Sequence, residues 1–420
     1  MLILLIIVFV VGYLGIVLEH SISINKSSSA LLTGALSWTL VSIIIEDKHL
    51  VNEELMHHVG EIAGIVFFLM GAMTIVELVD TYHGFDIITS KITTTNKRTL
   101  LWIIAVITFI LSAILDNLTT TIVMVTLLKK MVEIRNTRLM YVGLVVIAAN
   151  AGGAWSPMGD VTTTMLWIGG QLSATHVMTS LFLPSLVCLI VPTLIMSFQI
   201  KGKLPPQSLE DNKGKNSEFE RRLILLIGIG GLVFVPVFKY FTHLPPFVGM
   251  LLVLGVLWLI TELLLKNKEE EYKAKFSIMT ALTKMDLPSL LFFVGILLAV
   301  LSLQTVGVLG SLASWLDGKI QNETSLVTLI GLLSSIIDNV PLVAAAIGMY
   351  PLANFPTDHS FWDLLAYCAG TGGSTLIIGS AAGVAAMGIE SIPFFWYLRR
   401  ISLLALLGYF AGILVYIIQN

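Results

Sequence analysis

The chain has 420 residues, of which 56% are hydrophobic and only 12% charged. Soluble proteins carry roughly 25% charged residues, so water is not the only solvent here. The net charge of -3 identifies no partner, and nothing in the sequence matches GxxxxGK[ST], which excludes a nucleotide-driven engine within this chain.

Apolar runs long enough to cross roughly 30 Å of hydrocarbon recur along the whole length. They lie at 1–18, 29–45, 62–79, 99–131, 139–170, 177–200, 223–241, 246–265, 287–306, 324–353, 361–390 and 392–417. The first run shows neither a basic n-region nor a small-residue cleavage site and reads as a retained span. Runs 99–131 and 324–353 are too long for one plain helix and read as re-entrant hairpins, while glycines interrupt 139–170 and 361–390. Cys188 and Cys368 both fall inside apolar runs and form neither a disulfide framework nor a metal pattern.

Basic residues gather on the cytoplasmic side of membrane proteins. With two re-entrant hairpins and both termini external, 21 of the 24 Lys and Arg residues fall on the cytoplasmic side, Lys26 among them. Lys48, Lys239 and Lys319 fall outside. A single crossing over 99–131 would put Arg98 and Lys129 on opposite faces and destroy that bias.

The chain also repeats itself. LSAILDNLTTTIVM (111–124) resembles LLSSIIDNVPLVAA (332–345), with Asp116–Asn117 and Asp338–Asn339 at a spacing of 222. NAGGAWSPMGD (150–160) resembles GTGGSTLIIGS (370–380), with Gly152, Gly153 and Gly159 matching Gly372, Gly373 and Gly379 at a spacing of 220. The expected topology makes these repeats inverted. The fold class is therefore an all-α polytopic membrane protein with two re-entrant hairpins and two broken transmembrane helices. Such breaks point to the binding site of a secondary transporter.

Asp116 and Asp338 each stand mid-way in a hydrophobic run, where a charge costs at least about 2.5–3.5 kcal/mol. The competing reading makes each an N-cap at a hairpin tip, with Pro341 suiting the helix start after the second. The two roles are compatible. Asn117 and Asn339 offer amide oxygens to a hard cation, or else satisfy the backbone of the tip. Gly152, Gly153, Pro157 and Gly159 interrupt one span, and freed backbone is tolerated there only where protein or a cavity buries it. Asn150 precedes this break, Asp160 follows it, and Thr162, Thr163 and Thr164 offer hydroxyls. Capping by Asp160 and back-bonding by the threonines are the alternatives. In the second break Ser380 and Gly370 stand where Asp160 and Asn150 stand in the first, and Thr371, Ser374 and Thr375 supply polarity.

The expected deep charges are Asp116, Asp160 and Asp338, with no Lys or Arg deep in any span. That pattern favours a cation, with Na⁺ (or Li⁺) held by Asp116, Asn117, Asn150, Asp160, Asp338 and Asn339. Proton and metal then compete for the same carboxylates. The ions are cargo, and no cofactor is expected. Glu61 and Glu77 lie near opposite ends of the third span and read as interfacial or as further transport groups. The eight histidines read as solvated groups in loops or at span ends.

The segments LDNLTTT, NAGGAWSPMGDVTTTMLW and GTGGSTLIIGSAAGVA resemble those of the NhaD-type sodium/proton antiporters. That family is a branch of the ion transporter superfamily that also holds arsenite carriers and sodium–dicarboxylate symporters. The resemblance implies elevator-type movement of a transport domain against a scaffold, a homodimer, and a place in the bacterial cytoplasmic (inner) membrane. It implies scaffold helices at 1–80 and 223–306, transport segments at 81–200 and 307–420, and a cytoplasmic linker at 201–222. It assigns ion exchange to Asp116, Asn117, Asn150, Asp160, Thr162, Thr163, Ser334, Asp338, Asn339, Ser374 and Glu61. The carboxylate-transporting branch has SNT at its hairpin tips, whereas this chain has DNL and DNV, a departure that supports a cation. The bilayer is the expected environment, and neither nucleic acid nor nucleotide is an expected partner. The alternatives are a Na⁺-coupled symporter of an organic or inorganic anion, a passive channel, and an intramembrane aspartyl protease. For the protease, PMGD at 157–160 lacks the first glycine of GxGD.

Overall fold

A computed structural model describes residues 1–22, 24–89, 94–204, 217–336 and 338–420. Lys91, the side chain of Lys130 and the 205–216 stretch of the expected linker lie outside the described residues. Among the described residues nine helices are long and apolar enough to cross a bilayer, and no strand is present.

Both hairpins form where the sequence places them. The first comprises Lys97–Leu115 and Asn117–Met131. Asn96 starts it by accepting from the backbone N–H groups of Arg98 and Thr99. The chain reverses at Asp116, whose φ of 87° is left-handed, a conformation that Asp tolerates better than most residues. Its carboxylate then caps the return arm by accepting from the Thr119 N–H at 2.7 Å. The second hairpin comprises Glu323–Leu333 and Asn339–Met349, with Asn322 and Asp338 in the equivalent caps. Pro341 sits in the first turn of its return arm, where a missing N–H costs little.

The broken helices also form. Arg135–Ala154 stops at the first break and resumes as Val161–Ile168, capped by Asp160. Ser360–Gly372 resumes as Ala381–Glu390, capped by Ser380.

Packing repeats along with the sequence. Ser112 donates to the Ala149 carbonyl at 2.5 Å, and Ser334 donates to the Ala369 carbonyl at 2.8 Å. A Cβ on Gly152 would run into the Phe109 carbonyl, and one on Gly372 into the Gly331 carbonyl. These pairs match residue for residue at the spacings of 222 and 220 read from the sequence. In both halves the outgoing hairpin arm lies directly on a glycine of the broken helix. Small residues permit such close approach between helices in lipid.

The two halves run antiparallel. Arg138, at the start of the first broken helix, pairs with Glu390 at the end of the second at 2.9 Å. At the other end, Ser173 follows the first broken helix and donates its N–H and Oγ to Asp358, just before the second, at 2.6 and 2.8 Å. The repeats are therefore inverted. Contacts also gather the basic loops on one face: Arg98 reaches the Ile200 carbonyl, Arg221 the His83 carbonyl, Lys268 Glu220 and Lys284 Glu77.

Three stretches differ from the sequence reading. The third segment begins at Lys48 and continues to Thr81 as one 34-residue helix, with Asp47 capping it. His57, His58 and Glu61 thus lie inside a helix and not at a span end, because a hydropathy window cannot see the polar first half of a long helix. A 12-residue helix, Val308–Lys319, fills a stretch without an apolar run. The polar stretch 266–286 carries two short helices, Glu270–Phe276 and Ile278–Lys284.

Candidate ion-binding site

The two hairpin tips and the first helix break close around one cavity of about 70 Å³. Asp116, Asn117, Asp160, Asp338, Asn339 and Lys26 all line it. Residues separated by more than 200 positions in sequence thus share one space.

Asp160 holds the centre and is 1% exposed. Its Oδ1 accepts from the Thr162 N–H at 2.9 Å and the Thr162 hydroxyl at 2.7 Å. Its Oδ2 accepts from Asn117 Nδ2 at 2.6 Å. Asn339 Nδ2 approaches the two oxygens at 3.3 and 3.4 Å. The capping role and the cavity role therefore coexist in one carboxylate.

A polar chain leads away from it. Asn117 Nδ2 also donates to Asn150 Oδ1 at 3.0 Å, and Asn150 Nδ2 donates to Ser374 and Ser380 at 2.9 Å each. The second break thus enters the site through Asn150. Because both tip amides turn their nitrogens to Asp160, their oxygens are left over: among the described residues neither Asn117 Oδ1 nor Asn339 Oδ1 accepts a hydrogen bond. Both residues line the cavity, where a carbonyl-type oxygen is a suitable donor to a hard cation. Among the described residues the buried Thr163 hydroxyl also has no partner.

The two tip aspartates differ. Asp116 accepts from Thr119 twice, N–H to Oδ1 at 2.7 Å and hydroxyl to Oδ2 at 2.9 Å. Asp338 accepts the Val340 N–H on Oδ1 at 3.3 Å, and its Oδ2 takes the Lys26 ammonium at 3.0 Å. The Lys26 Nζ also lies 4.4 Å from the centre of the Phe292 ring.

Lys26 brings a basic group beside these carboxylates, although the sequence places no Lys or Arg deep in a span. It opens the Lys26–Ile44 helix and turns its long side chain inward. Its partner is 312 residues away, and only its place just before the apolar run at 29–45 could have drawn attention to it. Three carboxylates against one ammonium leave the cavity acidic, so it remains suited to a cation.

The other expected residues lie apart. Ser334 ties the hairpin to Ala369 and so holds the backbone together. Glu61 is half exposed and pairs with His57 at 3.5 Å and His58 at 3.2 Å, and it does not line the cavity. Glu77 pairs with Lys284.

Comparison with known proteins agrees with this architecture. A family model described as "Citrate transporter" matches residues 1–370. Sodium/proton antiporter 2 of Arabidopsis thaliana is 46% identical, and the alignment covers 97% of both chains. Sodium/proton antiporter 1 of the same plant is 50% identical over 97% of this chain and 71% of its own length. The Na(+)/H(+) antiporter NhaD of Vibrio cholerae is 32% identical over 98% of this chain and 91% of its own. The chain belongs to the NhaD-type antiporter family, within the ion transporter superfamily. Membership makes it a multi-pass integral membrane transporter and not an enzyme, so the expected fold class, family and broad activity class all hold.

Proposed function

We propose that the chain exchanges Na⁺ (or Li⁺) for H⁺, with both cargoes competing for the carboxylates of the cavity. The observation that carries this reading is the central Asp160, on which both hairpin tips converge while, among the described residues, the two tip amide oxygens accept no hydrogen bond. Na⁺ accepts such hard oxygen donors in place of water. Asn117 and Asn339 donate with their nitrogens and so hold Asp160 in place, and their oxygens complete the shell of an ion bound beside it. Carboxylates accept either a proton or a metal ion, which neutral donors cannot do, so loading one cargo expels the other.

The names of the plant and bacterial relatives support the same exchange. The inverted hairpins support movement of a transport unit (81–200 and 307–420) against a scaffold (1–80 and 223–306); the homodimer rests on the family resemblance alone. Bacterial relatives support a cytoplasmic membrane as its location. A carboxylate-coupled symport, suggested by the family description, would need a cationic or neutral pocket for its anion, and the three aspartates that line this cavity argue against it.

Liposomes holding the purified protein and a pH-sensitive dye test this. Addition of Na⁺ or Li⁺ is expected to move protons in the opposite direction without any added anion substrate. Sodium entry without proton movement, or proton movement only with citrate present, would overturn the reading.

A further inference from the structure

Lys26 and Asp338 belong to different parts of the molecule. The Lys26–Ile44 helix packs along Leu287–Thr305: Ser27 donates to the Pro288 carbonyl at 2.6 Å and Trp38 to the Leu298 carbonyl at 3.0 Å. Gly34 lies against the backbone of Gly295 in the same seam. Asp338 heads the return arm of the second hairpin, which is tied to the broken helices through Ser334 and Asn339. The 3.0 Å ion pair therefore joins this helix pair to the ion site itself.

The ammonium is held in position. Phe292, on the neighbouring helix, presents its ring face at 4.4 Å. The helix start is fixed by Asn25, which accepts from the Ser27 N–H, and by Glu19, which accepts from the Lys26 N–H at 3.0 Å. The paired side chains are 25% and 20% exposed. Among the described residues the first hairpin has no counterpart to this pair; the two oxygens of Asp116 accept from Thr119 instead.

We propose that Lys26 is a tethered cation that takes the cargo's place on Asp338 and latches the empty transport unit to the scaffold. The inference rests on the exchange reading above and adds to it a means of suppressing movement without cargo. While Asp338 carries no cargo, the ammonium satisfies Oδ2 and ties the hairpin to the Lys26–Ile44 helix. A sodium ion that binds Oδ2 displaces the ammonium and frees the hairpin, and the opposing cargo does the same. The latch works by exchange of partners on Asp338 Oδ2. Competition of this kind weakens apparent affinity by the fraction of time the site is free: a pair formed nine-tenths of the time weakens sodium binding about tenfold.

The test compares the parent protein, Lys26→Gln and Lys26→Arg in liposomes, reading sodium flux with a radiotracer and proton flux with a dye. Lys26→Gln is expected to half-saturate at severalfold lower sodium and to move fewer protons per sodium ion, because the unlatched unit returns empty. Lys26→Arg is expected to restore the ratio, since it restores the cation. A parental ratio with unchanged or raised half-saturation in Lys26→Gln overturns the latch and leaves the exchange reading standing. A parent protein that moves no protons on sodium addition overturns the exchange reading instead. A second measurement uses the unaltered protein: a permeant amine-acylating reagent followed by mass spectrometry at Lys26. Sodium is expected to raise acylation of Lys26 severalfold over choline, and equal labelling overturns the latch even if the Gln variant fails to insert.

Discussion

Asn117 and Asn339, which directly follow the two tip aspartates, both donate to the single carboxylate of Asp160, at 2.6 and 3.3 Å. A strictly symmetric protein would have two such centres. Ser380 stands where a second acid would have to be, and its hydroxyl serves Asn150 instead. The inverted repeat has therefore converged on one asymmetric site.

Asp160→Asn should keep the helix cap, because an amide oxygen still accepts from Thr162. It places an amide against two amide donors and removes the charge. Hydrogen bonds to a charged group contribute about 1.5–3 kcal/mol, so apparent sodium affinity should fall roughly tenfold or more. Sodium dependence of proton movement in liposomes measures it. Parental half-saturation would remove Asp160 from the site.

Gly152→Ala and Gly372→Ala drive a methyl group into the carbonyls of Phe109 and Gly331. Neither backbone can yield without separating a hairpin from its broken helix. Each should destabilise by about 1–3 kcal/mol, the usual cost of overpacking, and lower the thermal midpoint in detergent. Gly255, within a spanning helix, has open space where a Cβ would stand, with nothing within 4 Å. Gly255→Ala should be neutral or stabilising by up to about 1 kcal/mol.

Much of this site is legible in the sequence. The DN pairs and glycine pairs at constant spacing predict the repeat and its breaks, and the long apolar runs with the distribution of basic residues predict both hairpins and their inversion. Lys26 is not legible: its partner is fixed by how one helix packs beside a hairpin 312 residues away. The Val308–Lys319 helix is short and ends in charge, so it gives no membrane-length signal. The convergence of two amides on Asp160 depends on how side chains turn within the cavity, which no periodicity records.

Glu61 offers a negative test of the site. It is half exposed, bonded to His57 and His58, and remote from the cavity lining. Exposed pairs of this kind contribute at most about 1 kcal/mol. Glu61→Gln should therefore retain parental sodium affinity and proton coupling. Loss of exchange in a well-inserted Glu61→Gln protein would show a second transport group on the Lys48–Thr81 helix.

Sidedness follows from the gathering of basic loops on one face. That face should be cytoplasmic, since basic loops are retained there. Glu271 lies exposed on it, and Asn354 lies exposed in the loop before the second broken helix, on the other. In whole cells an impermeant thiol reagent should label Asn354→Cys and spare Glu271→Cys. The reverse pattern would invert the topology.

Asp116→Asn and Asp338→Asn separate the capping role from the transport role. Asn is as good an N-cap as Asp, so Thr119 and Val340 keep an acceptor, and each variant should reach the membrane. What each loses is a group that can bind either cargo. Asp338→Asn also releases the Lys26 ammonium inside the cavity, where an unpaired charge opposes a second cation. Both variants should abolish sodium-dependent proton movement. Asp→Glu at either position should retain more activity than Asp→Asn, because it keeps a carboxylate within reach of the same cavity. Flux in liposomes, normalised to inserted protein, measures the series. Parental rates and pH dependence in both Asn variants would reduce the two aspartates to helix caps and leave Asp160 as the only exchanging carboxylate.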